Sequence, residues 1–248
     1  MHKTPLFVVV AVLFSAVPGN ALSYSATSTA EATLIRSAVT ASSAGNANSS
    51  AAASRFDAAA WDADQIGNVD ATVFSLALES AENAVGRGQA DPATLTVIDF
   101  SRPSTAPRLW VYDLRARKLL FEEYVAHGRN SGFDVPTNFS NQPESNMSSI
   151  GLYRAAESYI GKHGYSLRLD GLEPGFNDRA RDRAIVIHGA EYVNAKTAKA
   201  QGRLGRSLGC PAVRPEIARR LIDAVKDGGL VFAYYPDPAW LHGSRYLN

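Results

Sequence analysis

The sequence has only one cysteine, Cys210, in 248 residues. A lone thiol excludes an intrachain disulfide framework and a Cys-rich zinc site. An excess of charge is also missing: 25 Lys and Arg stand against 24 Asp and Glu, a formal net charge of +1. With no basic surplus to release counterions, no nucleic-acid partner is expected. Long apolar runs are absent too. The longest, residues 6–17, is interrupted only by Ser15 and is shorter than the about 20 residues a spanning helix needs. No His-x-His or His-Glu-x-x-His spacing is present, which argues against a metal-dependent hydrolase.

What is present divides the chain by composition. Lys3, the apolar run and the small residues Gly19-Asn20-Ala21 read as an export signal over 1–21. Residues 22–65 are rich in Ala, Ser, Thr, Gly and Asn and poor in large apolar side chains, so they read as a flexible tether. Residues 66–90 read as a helical lead-in, with Val69, Val73, Leu76, Ala77, Ala81, Ala84 and Val85 near a 3.6 period. Residues 91–236 read as the working domain and 237–248 as a C-terminal tail. The mature protein is expected to be exported to the periplasm or cell envelope. It is also expected to be monomeric, with no stable membrane insertion once the signal is removed.

Within the domain the period changes to 2. Residues 95–100, 109–114 and 119–126 predict an antiparallel meander. Residues 127–149 are a long Gly-, Asn-, Ser- and Pro-bearing loop, of the kind that is usually functional. Strands are expected again at 151–154, 165–170, 184–188 and 230–235, with helices over 191–201 and 215–226. The fold class is therefore mainly β, a sandwich or barrel-type domain with peripheral helices.

Chemistry concentrates in two segments. Ile185-Val186-Ile187-His188-Gly189 ends a buried-type strand on a histidine, and the Gly-rich stretch 202–209 delivers Cys210 just before Pro211. An ordinary thiol is mostly protonated at neutral pH, and a neighbouring histidine can take that proton. Gly209 permits close backbone approach, and the amides of Gly209 and Cys210 are positioned in sequence to serve an oxyanion. Exported proteins tend to lack unpaired cysteines, which favours a working thiol over a buried filler. Two other readings compete: zinc held by His127, His188 and Cys210, and a wall-binding module without turnover.

His188-Gly189 followed by Ser207-x-Gly209-Cys210 resembles the signature of the L,D-transpeptidases, the YkuD-type catalytic domain, in its divergent murein L,D-transpeptidase branch. Further blocks are similar to that branch, among them Val97-Ile98-Asp99-Phe100-Ser101, Val125-Ala126-His127-Gly128 and Asn138-Phe139-Ser140-Asn141. Ser148-Ser149-Ile150-Gly151, Leu169-Asp170-Gly171-Leu172-Glu173 and Gly205-Arg206-Ser207-Leu208-Gly209-Cys210-Pro211-Ala212 are similar too. The resemblance spans residues 91–235. It implies a YkuD-like β fold acting on peptidoglycan stem peptides, with Cys210 as nucleophile and His188 as base and then acid. It also implies that the Gly189 carbonyl orients His188, and that amides around Leu208, Gly209 and Cys210, supported by Ser207, form the oxyanion site. Release of D-alanine would leave a thioester, which an amine resolves to a crosslink or water to a trimmed peptide, a carboxypeptidase outcome. The family's arginine after the cysteine is displaced here by Pro211-Ala212-Val213, so Arg206 and Arg214 are the candidate carboxylate binders. His127, Asn141 and Ser149 are candidate substrate contacts.

Overall fold

A computed structural model describes residues 55–248. The expected signal and the tether up to residue 54 lie outside the described residues. One eight-stranded sheet organises the chain: β1 (Thr94–Asp99), β2 (Leu109–Asp113), β3 (Lys118–Glu123), β4 (Gly151–Gly161), β5 (Gly164–Gly171), β6 (Val186–Gly189), β7 (Ala212–Val213) and β8 (Leu230–Tyr234). The spatial order is β3-β2-β1-β8-β4-β5-β6-β7. An antiparallel bridge from Ala126, just beyond β3, to Ala212 of β7 brings the two ends together. The sheet is thus a nearly closed barrel, in agreement with the expected β class.

The meander β1–β2–β3 forms as the period-2 pattern predicts. β1 and β8 run parallel and are buried along their whole length, as expected of strands covered on both faces. Helix α1 (Ala63–Ile66) is a single turn. Helix α2 (Ala71–Gly86) starts where Asp70 accepts from the amides of Thr72 and Val73, and it buries Val73, Phe74, Ala77, Leu78, Ala81 and Ala84.

Four differences from the sequence reading have local causes. β4 runs for eleven residues rather than ending at Arg154. A bulge between Ala155 and Ser158 and the exposed Arg154, Glu157 and Ile160 break the apolar alternation. β7 was not anticipated, because two residues carry no period. Helix α3 (Ala195–Gln201) begins later than residue 191, where Asn194 caps the amides of Lys196 and Thr197. The packed chain also extends past both expected limits of the domain. Phe56 and Trp61 are buried, and Trp61 meets Phe74 and Tyr112 edge-on with centroids 5.1 and 5.7 Å apart. At the other end, helix α5 (Pro238–Gly243) buries Trp240, whose indole N–H donates to Glu173 Oε2 at 3.0 Å. Helix α4 (Pro215–Val225) forms as expected, with Pro215 in its first turn.

Candidate active site

His188 lies near the end of β6, opposite Ser166 of β5 and Ala212 of β7. Only 2% of it is exposed. Its Nδ1–H donates to the Gly189 carbonyl at 2.9 Å, which assigns the proton to Nδ1 and leaves Nε2 with a free lone pair. Burial pushes the basicity of His188 down. The Gly189 bond works against this, and the nearby His163 and Lys162 push it further down. A Cβ at Gly189 would sit 3.1 Å from both Pro215 and Ala218 of α4, a tight approach that favours glycine there.

The parallel pairing of β6 with β7 sets the level of the nucleophile candidate. His188 faces Ala212, so Cys210, two residues before Ala212, lies alongside β6. The thiol is half-buried and donates to the Ala184 carbonyl at 3.6 Å. Ala184 adopts a left-handed conformation, φ 53°, that turns its carbonyl toward the sulfur. Burial raises the thiol's pKa, which the charges of Arg183 and Lys162 partly offset. Burial thus works against the charged form of both groups.

The loop before Cys210 is built around Ser207. Its hydroxyl donates to the Cys210 carbonyl at 2.7 Å and accepts from the Gly209 amide at 3.0 Å. This corrects one expectation: the Gly209 N–H is already used, and the amides left without an acceptor among the described residues are those of Leu208 and Cys210. Gly209 has φ 129°, and a Cβ there would fall 2.8 Å from the Met147 carbonyl oxygen. Its own carbonyl accepts from Ser148 Oγ at 3.1 Å.

The expected substrate contacts are engaged elsewhere. Arg214 forms a two-pronged ion pair with Glu123, at 2.9 and 2.6 Å. Arg206 donates to the carbonyls of Arg129 and Gly132 at 2.9 and 2.8 Å, closing the 127–149 loop. Asn141 donates to Asp178 at 2.7 Å and accepts from the Arg179 amide at 3.1 Å. Ser149 donates to the Ser140 carbonyl at 2.9 Å. His127 is buried, with Nδ1 2.7 Å from Arg108 Nη2; burial and that arginine push its pKa down to about 3. The zinc reading loses its ligand set: among the described residues no three His, Cys, Asp or Glu side chains converge as metal ligands.

Two residues near the thiol escaped the sequence reading. Arg183 ties the long loop to the site, donating to the carbonyls of Ser140 and Met147, both at 2.6 Å, and to the hydroxyl of Ser149. His163, read as a turn residue, stacks on His188 with ring centroids 4.4 Å apart and planes 25° apart. Neither position has a local pattern that marks it.

A buried histidine with an oriented Nδ1, a half-buried thiol two residues before β7 and amides without acceptors beside that thiol make up a candidate cysteine–histidine site on a barrel-like sheet. A family profile describing the L,D-transpeptidase catalytic domain matches residues 65–234. The chain belongs to that family. Solved structures it resembles include an L,D-transpeptidase from Mycobacterium smegmatis, at 15% identity over 58% of this chain and 59% of that one, TM-score 0.36. L,D-transpeptidase 1 from Mycobacterium tuberculosis matches at 15% identity over 58% and 62%, TM-score 0.33. An L,D-transpeptidase from Stackebrandtia nassauensis matches at 15% identity over 66% and 68%, TM-score 0.34. The match thus covers about three-fifths of the length of the two mycobacterial proteins. No curated protein sequence matches.

Proposed function

We propose that this protein is a cysteine acyltransferase of the cell wall, an L,D-transpeptidase acting on peptidoglycan stem peptides outside the cytoplasm. The observation that carries the reading is the Nδ1–H to Gly189 carbonyl bond, which leaves His188 Nε2 with a free lone pair on the strand that pairs with β7, just after Cys210. The thiol exchanges the Ala184 carbonyl for Nε2 and gives up its proton there. The sulfur attacks the carbonyl carbon of the amide that joins the third stem residue to the terminal D-alanine. The oxygen takes negative charge opposite the amides of Leu208 and Cys210. As the C–N bond breaks, His188 returns the proton to the leaving amine, and a Cys210 thioester remains. An amine from a second stem then loses a proton to His188 and attacks the thioester carbon, and the thiolate leaves and is reprotonated. No residue of this cycle needs a metal or an organic cofactor.

Carboxylate recognition falls to a different cation than the sequence suggests. Arg206 and Arg214 are committed. Lys162, exposed at the β4–β5 turn, acts electrostatically on both His188 and Cys210 and forms no ion pair among the described residues. It is the candidate we assign to meet a stem carboxylate.

The test is incubation of the full chain with purified tetrapeptide muropeptides, read by mass spectrometry. A crosslinked product with loss of D-alanine is expected, and Cys210→Ala should abolish it while leaving the fold and Tm in place. Turnover persisting in Cys210→Ala would overturn the mechanism, and D-alanine loss without any crosslink would make the protein a carboxypeptidase.

A further inference from the structure

His163, the second residue of the β4–β5 turn, has no role in the reaction described so far, yet it leans on the proposed base. Gly161 pairs with Gly164, so the connection is the two-residue turn Lys162-His163, which fixes the register of the hairpin. The bulge between Ala155 and Ser158 adds local twist to β4, and β5 continues directly into pairing with β6, Ser166 against His188. His163 therefore reaches His188 from a short, register-locked turn rather than from a free loop. Its ring is exposed on the solvent side, while the ring it stacks on is buried.

We propose that His163 is a positioning residue: its ring braces the imidazole of His188, and its positive charge, when present, holds that base neutral. This rests on the reading of His188 as the general base. Two stacked imidazoles 4.4 Å apart are a favourable contact when at most one is charged and a repulsive one when both are. Burial disfavours charge on the inner ring, so a proton on the outer ring keeps Nε2 of His188 available for the thiol. The other charged and titratable groups facing the pair act in the same direction or are occupied. Lys162, on the same turn, also disfavours a charged His188. Burial raises the pKa of both Cys210 and Tyr192 and so disfavours their charged forms. On β5, Arg168 pairs with Glu157, and Tyr165 donates to Asp223. On α4, Arg219 lies over the Tyr165 ring and Arg214 is paired with Glu123.

The experiment compares the full chain with His163→Phe, which keeps a stacking ring but removes the charge, and His163→Ala, which removes both. The imidazole of His188 is titrated by NMR in the resting protein, and the pH–rate profile is measured with tetrapeptide substrate. In His163→Phe, the titration midpoint of His188 and the acid limb of the profile both move up by about half a pH unit, with KM unchanged. His163→Ala shows the same displacement and in addition loses about fivefold in kcat, which Phe retains. Identical His188 titration in all three proteins would overturn the proposal. The titration needs no substrate, so a wild type that shows the coupling but no turnover would refute the proposed activity and leave the coupling standing.

Discussion

Replacing Arg214 with Gln distinguishes a structural arginine from a substrate-binding one. Arg214 and Glu123 form a parallel two-pronged pair, and the Glu123 side chain is 9% exposed against 37% for Arg214. Removing the guanidinium leaves a carboxylate nearly out of water with no countercharge. Breaking a fully buried pair costs about 3–5 kcal/mol. Water reaches the arginine end here, so the expected loss is about 2 kcal/mol. For a folded body of roughly 190 residues, the unfolding entropy near Tm is about 0.4 kcal/mol/K, so Tm should fall by about 5 °C. The double variant Glu123→Gln with Arg214→Gln removes the stranded charge and should recover at least half of that loss. The assay is thermal unfolding by circular dichroism at neutral pH, together with KM for a tetrapeptide stem in the same variants. The structural assignment predicts a lowered Tm and a KM within about twofold of wild type. An unchanged Tm with a tenfold rise in KM would refute it and return Arg214 to the role the sequence suggested.

Two further outcomes follow from buried geometry. Gly209→Ala places a methyl 2.8 Å from the Met147 carbonyl oxygen at φ 129°. Backbone strain and overlap together should cost about 2–4 kcal/mol and slow acylation of Cys210 by a β-lactam at least tenfold; a variant that unfolds and acylates like wild type would contradict the close approach. His127 binds its proton only near pH 3 when folded, against 6.5 for the unfolded chain. Between those values the unfolded state holds more protons, so stability rises with pH, is fully present above about 6.5 and is lost as pH falls toward 3. His127→Asn should flatten the acid limb of a Tm-against-pH curve, and an unchanged limb would show that the proton is taken up elsewhere.

Some of this was legible in the sequence and some was not, for separable reasons. Strand period, helix caps and glycine placement are local, and they were sufficient for the β class, the meander and α4. The placing of Cys210 alongside β6, the strand that carries His188, follows from the pairing of β6 with β7, and both residues lie in short motifs that mark them as candidates in the sequence. The orienting Gly189 carbonyl belongs to the residue next in sequence, so it needed no long-range information. The arginines were not legible. Each one's partner is fixed by the closed sheet rather than by neighbours in sequence: Arg214 meets Glu123 across 91 positions and Arg206 meets Gly132 across 74. His163 was missed for the same reason. A Gly-Lys-His-Gly turn looks like surface until the hairpin is folded over β6, and its bulge hides how far β4 extends.

The anchoring of Trp240 on Glu173 also bears on the order of assembly. Glu173 serves two masters at once: Oε1 accepts the Leu152 amide at 2.7 Å, and Oε2 accepts the Trp240 indole at 3.0 Å. Tyr246 is buried as well, and its carbonyl receives Asn83 of α2 at 2.9 Å. Residues 240–246 therefore supply the partners of Asn83 on α2 and of the second oxygen of Glu173, whose first oxygen holds β4. Trp240 and Tyr246 belong to the core, so it is complete only once residues 240–246 have been made. A nonsense mutation between Cys210 and Trp240 is therefore expected to be a folding lesion even though His188 and Cys210 would still be encoded.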